Sequence, residues 1–314
     1  MAEASYLALY ADGELQKRIR TAIDLLKSCT VCPRQCKVNR LEDEKGVCRT
    51  GRRAVVSSYG PHFGEEGPLV GMSGSGTIFI THCNLGCIFC QNYDVSHEGD
   101  GFEVEAGQLA ATMVSLQKQG CHNINFVTPT HVIPQILEAL PPAIDKGLSV
   151  PLVYNSSAYD SVSTLQVLEG IFDIYMPDFK FWQPETAGKL AGAPDYPQRA
   201  QEAIREMHRQ AGVLETDSRG VARKGLIVRH LVMPEGLDET REILNFLARE
   251  ISVKTYVNVM DQYRPCGEAH NFPPINRMLS AEEYNQALRY AEEAGLTNLD
   301  QRDWIRALRH LKGF

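Results

Sequence analysis

The sequence lacks three features that would place it in common classes of protein. No apolar stretch approaches the roughly 20 residues that a helix needs to cross a bilayer, so we expect no membrane partner. Residues 1–19 contain early acidic residues and no positively charged segment, so we predict no signal peptide and a cytoplasmic protein. Lysine and arginine are scattered and the net charge is −7, which argues against a nucleic acid bound through its phosphates.

Internal repeats and low-complexity tracts are also missing, which leaves an ordinary globular protein. Its 314 residues are 43% hydrophobic and 23% charged, the composition typical of that class. The length exceeds that of a typical single domain but suits one α/β barrel. The chain can therefore bury a large core.

From residue 77 onward, short apolar runs alternate with amphipathic segments. We predict strands at 77–80, 123–127, 152–154, 174–176, 226–232 and 255–259, and helices at 108–119, 132–146, 161–169, 197–210, 239–251 and 281–294. Strands alternating with helices indicate βαβ units and a parallel sheet. Six units close only part of a barrel, so we predict an α/β fold: a partial (β/α)6 TIM-like barrel whose lateral opening admits a bulky substrate to the strand ends.

The segment before residue 77 does not follow this pattern. It combines a helical start, a cysteine-rich loop and a glycine-rich stretch. We therefore predict an N-terminal extension over 1–76, the barrel over 77–265, and a C-terminal loop with helices that pack on the barrel over 266–314. The amphipathic tail at 302–314 is predicted to cap the barrel, with docking of a partner as the alternative.

Seven of the nine cysteines lie between positions 29 and 90. In a reducing compartment this clustering argues for metal ligands rather than disulfides. Cys83, Cys87 and Cys90 form a C-x3-C-x2-C triad after the first predicted strand, where βα folds gather their chemistry. Three thiolates leave one iron of a [4Fe-4S] cluster free to take a substrate or cofactor. The alternatives are a zinc site completed by His82 or His97, or three unconnected buried thiols.

The triad and its surroundings resemble the radical S-adenosylmethionine (SAM) superfamily. Phe89 precedes the last cysteine, where that family has an aromatic ring near the adenine of SAM. Further segments resemble activating enzymes of glycyl-radical enzymes, namely the pyruvate formate-lyase activating enzyme-like, PflX-type subgroup: CPRQC, GSGTIFITHCNLGCIFCQN, NINFVTPTHV, YDSV, DIYMPDFK and NVMDQYRP. The resemblance covers residues 75–265.

The resemblance implies an oxidoreductase activity. SAM would bind the open iron of a [4Fe-4S] cluster, and an electron from a donor such as flavodoxin or ferredoxin would cleave it to a 5′-deoxyadenosyl radical that abstracts hydrogen from a protein or peptide. The protein would hold the cofactor, tune the cluster and exclude water. The alternatives are oxidation or rearrangement of a small molecule, side-chain modification of a partner protein, or a non-catalytic iron-sulfur or zinc protein.

The resemblance also implies which residues contact SAM. They are Phe89, Asn92, Thr128, Pro129, Thr130, Asn155, Ser156, Met176, Asp178, Lys180, Arg229 and Asn258. Activating enzymes have a Gly-Gly-Glu-Pro turn for the SAM amine where this chain has 128–131, so the glutamate is absent here. Lys180 and Arg229 are expected to reach the SAM carboxylate. Asn258 stands where activating enzymes offer a histidine.

A monovalent cation is a further expectation from the resemblance. Its ligands would come from Asn155, Ser156, the Met176 carbonyl and Asp178, all oxygen donors that suit a hard cation. Asparagine replaces an aspartate of the activating enzymes here, which removes one charge. The structural alternative is a buried ion pair between Asp178 and Lys180.

Four more cysteines precede the barrel as C-x2-C-x3-C-x11-C: Cys29, Cys32, Cys36 and Cys48. Four thiolates on a loop close a zinc site or hold a second cluster. PflX-type proteins share the pattern, which supports a second metal site without naming its metal. Of the remaining cysteines, Cys121 and Cys266 are predicted to be packed, with a hydrogen-donor role for Cys266 as the alternative.

Overall fold

The computed structural model describes residues 4–300 of the chain. The tail at 302–314, predicted to cap the barrel, lies outside the described residues. Between residues 4 and 300, no helix is both long and apolar enough to cross a bilayer.

Helices and strands alternate through most of the described chain. In chain order, the helices are α1 (Tyr6–Ala11), α2 (Glu14–Asp24), α3 (Gly67–Val70), α4 (Ala106–Lys118), α5 (Ile133–Asp145), α6 (Val162–Val167), α7 (Pro184–Ala191), α8 (Tyr196–Ala211), α9 (Leu237–Phe246) and α10 (Ala281–Glu293). The strands are β1 (Ala54–His62), β2 (Ser75–Ile80), β3 (Phe102–Val104), β4 (Ile124–Val127), β5 (Leu152–Ser156), β6 (Ile174–Pro177), β7 (Glu215–Thr216), β8 (Ala222–Leu231), β9 (Tyr256–Met260) and β10 (Asn298–Leu299).

The strands form one sheet in the order β10-β9-β8-β6-β5-β4-β2-β1-β3, with β7 beside β8. Strands β2, β4, β5, β6, β8, β9 and β10 pair in parallel. Strand β1 pairs antiparallel with both β2 and β3. The path runs from β3 to β10 without closing, which confirms the predicted α/β fold with a partial barrel.

Each of the six predicted strands corresponds to an observed strand, and the differences lie mostly at the ends. The predicted helix 239–251 is divided, because α9 ends at Phe246 and a wider helical turn, Leu247–Ile251, follows it. The sequence did not predict β1, β3, β7, β10 or α7. Since β1 pairs with β2, the hydrogen bonding of the sheet crosses the predicted domain boundary at residue 76.

Alternation along the strands separates two buried clusters. In β6, Tyr175 belongs to the large core, whereas Ile174 and Met176 belong to a smaller one. The smaller cluster is Leu69, Val153, Ile174, Met176, Ala222, Ile227 and Tyr256, drawn largely from the strands. It fills the barrel interior, as expected for inward-facing residues of a small barrel. Continuing the alternation brings Asp178 to the inner face just after β6.

Candidate active site

The triad loop follows β2 directly. His82 and Gly86 adopt left-handed backbone conformations, with φ of 61° and 70°, and so turn the chain around the thiols. The backbone N–H of Leu85 donates to Cys83 Sγ at 3.4 Å. Asn84 is fully buried, and its Nδ2 donates to the carbonyl of Tyr159 at 2.7 Å. These contacts fix the loop at the carboxyl end of the sheet.

A cavity of about 370 Å³ lies at this end of the barrel. The three triad cysteines line it together with Phe89 and Asn92. Side chains at or just after the carboxyl ends of four neighbouring parallel strands, β4, β5, β6 and β8, also line it: Thr128, Asn155, Ser156, Asp178, Lys180 and Arg229. Residues far apart in the sequence therefore meet in one space, as the geometry of parallel sheets requires.

The triad thiols are free and lie close together. Burial raises the pKa of the Cys87 thiol above its ordinary value, the Lys180 charge lowers it, and the Cys83 and Cys90 thiols raise it further. Within residues 4–300, no group of three His, Cys, Asp or Glu side chains is arranged to hold a single metal ion. A [4Fe-4S] cluster carries its thiolates on separate irons, so three cysteines that border one cavity fit a cluster in type and placement.

Asp178 forms two close ion pairs at the cavity. Its Oδ2 accepts from Lys180 Nζ at 2.6 Å, and its Oδ1 accepts from Arg229 Nε at 2.6 Å. Arg229 Nη2 also donates to Asn155 Oδ1 at 2.8 Å. Burial raises the pKa of Asp178, but the charges of Arg229 and then Lys180 outweigh burial and hold that pKa below its ordinary value.

The structural alternative for Asp178 and Lys180 is therefore present, and Arg229 extends it. Both Asp178 oxygens accept from cationic side chains, and Asn155 Oδ1 accepts from Arg229 Nη2. Each Asp178 oxygen therefore already has one cationic partner, although a carboxylate oxygen can accept more than one contact. The Met176 side chain packs in the barrel interior and is fully buried. The monovalent cation stays a prediction.

Two acidic residues that the sequence did not indicate lie beside this network. Glu65 lines the cavity, with Oε2 at 3.6 Å from Arg229 Nη1 and Oε1 at 3.0 Å from His62 Nδ1. Glu66 is 3% exposed, and its Oε1 accepts from Asn258 Nδ2 at 2.8 Å, whereas its Oε2 has no hydrogen-bond partner among the residues that the structure describes. Burial raises the pKa of Glu66, although Arg229 opposes this effect.

The only signal for these two residues was an acidic pair inside the glycine-rich stretch before residue 77. That stretch follows β1, a strand with no helical partner of its own, so βα periodicity could not bring it to the barrel. Antiparallel pairing sets His62, at the end of β1, opposite Ser75, at the start of β2. The acidic pair therefore enters the barrel from the amino end of the parallel strands and meets Arg229 and Asn258 from that side.

Several predicted contacts do not line the cavity. Thr130 is buried and donates to Asp160 Oδ1 at 2.7 Å. Ser156, which does line the cavity, donates to the other Asp160 oxygen at 2.7 Å. Asn258 is engaged with Glu66. Within the described part of the chain, four of the predicted contacts do not line the cavity: Pro129, Thr130, Met176 and Asn258.

Phe89 forms part of an aromatic wall. Its ring is 3% exposed and lies edge-on to Phe181, with centroids 5.9 Å apart, and 6.0 Å from Tyr263. His131, by contrast, is a structural residue: its Nε2 donates to the Thr81 carbonyl at 3.0 Å, and burial lowers its pKa to about 3.

The N-terminal quartet also forms a compact group. The pKa of the Cys32 thiol is raised to about 12, mainly by burial, and the neighbouring thiols of Cys48, Cys29 and Cys36 contribute to this rise. The N–H of Val47 donates to Cys36 Sγ at 3.4 Å. A Cβ at Gly46 would lie 2.7 Å from that sulfur, so this close approach requires glycine. Four thiols suit zinc or a cluster in chemical type, but within residues 4–300 they are not arranged around a single ion.

The two remaining cysteines differ in position. Cys121 is 3% exposed and packs in the large core, as predicted. Cys266 adjoins the triad loop, because the N–H of Glu268 donates to the carbonyl of Ile88 at 2.9 Å. The described residues that line the cavity do not include Cys266.

No protein-family model matches the chain. The sequence is 34% identical over 291 residues to the uncharacterised protein MJ0674 of Methanocaldococcus jannaschii. The aligned region covers 90% of this chain and 79% of that relative.

Three solved structures represent the structural matches. SuiB of Streptococcus suis, bound to precursor peptide SuiA, is 13% identical, and the match covers 70% of this chain and 46% of SuiB with a TM-score of 0.48. Native anSMEcpe with bound AdoMet and Kp18Cys peptide is 10% identical, and the match covers 70% of this chain and 60% of that protein with a TM-score of 0.48. The radical SAM methyltransferase TsrM of Kitasatospora setae, with cobalamin and a [4Fe-4S] cluster, is 13% identical, and the match covers 59% of this chain and 34% of TsrM with a TM-score of 0.43. The matched part spans less than two thirds of each of these proteins. At this level of similarity they assign no activity to the chain.

Proposed function

The chain belongs to the family of the Methanocaldococcus jannaschii protein MJ0674, and we propose, from its own residues, that it is a radical SAM enzyme. It would cleave SAM at a [4Fe-4S] cluster held by Cys83, Cys87 and Cys90 and act on a protein or peptide, as activating enzymes do. The cluster, when bound, supplies the electron for this cleavage.

One observation carries the proposal: three free thiols and the Asp178, Lys180 and Arg229 network border the same cavity. A cluster with one open iron needs a ligand, and an amino-acid headgroup supplies an amine and a carboxylate. Cationic and anionic side chains beside the thiols are the groups that orient such a zwitterion. Purely structural thiols would not require this polar surface.

Glu65 and Arg229 both line the cavity and add a pair of opposite charges to its polar surface. Their closest atoms lie 3.6 Å apart, so one side chain would receive an ammonium while the other received a carboxylate. Glu65 would then serve where the Gly-Gly-Glu-Pro glutamate is missing. Phe89, packed against Phe181 and Tyr263, would keep water from the cofactor side of the cavity.

The substrate class rests on the resemblance to activating enzymes and on the open sheet. Strands β3 and β10 end the sheet path without pairing with each other. A partial barrel leaves a route for a polypeptide loop to reach the strand ends. We propose a small electron carrier such as flavodoxin or ferredoxin as the donor.

Reductive cleavage of SAM tests the proposal. Anaerobically reconstituted protein reduced with dithionite should convert SAM to 5′-deoxyadenosine and methionine. A reconstituted protein that forms no 5′-deoxyadenosine over hours would support a non-catalytic iron-sulfur or zinc protein instead. Deuterium transferred to 5′-deoxyadenosine from labelled candidate peptides, but not from labelled small molecules, would support the polypeptide substrate.

A further inference from the structure

The quartet loop and the triad loop are joined by one side chain. Arg34 lies between Cys32 and Cys36, and its guanidinium donates four hydrogen bonds. Its acceptors are the backbone carbonyls of Asn84 (2.9 Å), Leu85 (3.0 Å), Ala191 (2.9 Å) and Gly192 (2.6 Å). Two of these carbonyls belong to the triad loop itself, between its first and second cysteines.

The plane of this guanidinium is also fixed. It lies over the ring of Tyr159, with Cζ 5.2 Å from the centroid. The same Tyr159 accepts, through its carbonyl, the hydrogen bond from the buried Asn84 amide. Because arginine presents five donors in a rigid planar fork, a lysine with its single ammonium could keep the charge but not these four contacts.

A second connection runs through Arg40, which is 1% exposed. Its Nη1 lies 3.9 Å from Cys29 Sγ and donates to the His131 carbonyl at 2.7 Å. His131 Nε2 in turn donates to the carbonyl of Thr81, two residues before the triad begins. Both connections start beside quartet cysteines and end on the backbone that carries the triad.

We propose that Arg34 is a positioning residue that couples the quartet to the triad: metal on the quartet holds the Cys32–Cys36 turn in place, and Arg34 thereby fixes the triad loop around its cluster. This inference rests on the proposed function, since it assumes that the triad holds a cluster. Groups that orient metal ligands affect metal retention strongly, and their loss typically costs 10- to 100-fold.

The test compares how fast a chelator removes iron from the triad in four proteins. They are the natural chain, Arg34→Lys, a quartet-emptied Cys32→Ser/Cys48→Ser protein, and Arg49→Lys as matched control. Arg49 borders the same cleft but is exposed and donates to a single carbonyl, that of His97. A protein with all three triad cysteines replaced by alanine reports the quartet contribution, which is subtracted.

We expect Arg34→Lys and the emptied quartet each to speed the loss of triad iron about tenfold. Their combination should speed it little further, because both changes break the same connection. Arg49→Lys should match the natural chain. The electron paramagnetic resonance (EPR) spectrum of the reduced triad cluster should change with Arg34→Lys, which general destabilisation of the fold would not cause. Should the emptied quartet prevent folding, Arg34→Lys, whose quartet is intact, decides alone.

Unchanged iron release and an unchanged spectrum in Arg34→Lys would overturn the coupling, as would fully additive effects in the combined protein. Failure of the proposed function looks different. In that case the natural chain itself would show no SAM-responsive cluster on the triad, whatever residue occupies position 34.

Discussion

Arg229 Nε lies 2.6 Å from Asp178 Oδ1, and this pair joins the ends of β6 and β8 inside the cavity. The two strands are adjacent in the sheet although helices α7 and α8 separate them in the chain. The ion pair therefore depends on how β6 and β8 align at the end of the sheet where the site lies. Its stability follows from mutual compensation, because loss of either charge would leave the other buried with one fewer opposite charge beside it.

Arg229→Leu tests this compensation. The change leaves Asp178 with Lys180 alone, and we expect it to lower the free energy of unfolding by about 3 kcal/mol in urea denaturation. Arg219→Leu is the control, since the Arg219 side chain is 63% exposed and its ion pair with Asp217 should contribute little to stability. Equal effects of the two changes would mean that the Asp178 pair is not a buried ion pair.

Glu66→Gln tests the buried carboxyl beside Asn258. Burial raises the pKa of Glu66, so the folded chain holds its proton more tightly than the unfolded chain. This contribution to stability is complete below the ordinary glutamate pKa and is lost as the pH rises through the raised pKa. The glutamine protein should therefore gain stability relative to the natural chain as pH rises from about 4 to 8. Urea titrations at several pH values measure this, and a parallel pair of stability curves would rule it out.

Gly46→Ala tests the close packing of the quartet. The new methyl group would lie 2.7 Å from both Cβ and Sγ of Cys36, so the cysteine must move. In a background without the triad cysteines, we expect the metal content per chain to fall by at least half. Gly107→Ala in α4 is the control, because its methyl group would meet nothing within 4 Å. Full metal retention in the Gly46 variant would show that the loop is looser than described.

Cys87→Ala separates the two cysteine groups. It should abolish SAM cleavage and leave the quartet metal in place, because a tenfold coupling does not empty a tight four-thiolate site. Metal analysis of the purified variant is the measurement. If both sites lost their metal together, the quartet and the triad would form one indivisible centre rather than two coupled ones.

The sequence predicted the parallel strands and the triad because each depends on local signals. Apolar runs alternating with amphipathic segments identify β4 and β5 without knowledge of their neighbours. Strand β1 contains Gly60 and Pro61 and is only partly buried, so its pattern was too weak to recognise. Glu65 and Glu66 depend on β1 and were missed with it.

The contacts of Asp178, Arg229 and Arg34 could not be read from local signals either. The resemblance identified Asp178 and Arg229 as cofactor residues, but their pairing depends on how β6 and β8 align. Arg34 reaches carbonyls some 50 positions or more further along the chain. Every residue has a backbone carbonyl that can accept a hydrogen bond, whatever its side chain. The residue types in a single sequence therefore do not show which carbonyls Arg34 contacts.

The most direct test of the central claim is the EPR spectrum of the reduced natural protein before and after SAM is added. The spectrum of a protein with all three triad cysteines replaced by alanine is subtracted to remove any quartet signal. Our account predicts a [4Fe-4S] signal that changes when SAM binds the open iron. A triad that carries only zinc, or a cluster whose signal SAM leaves unchanged, would contradict it.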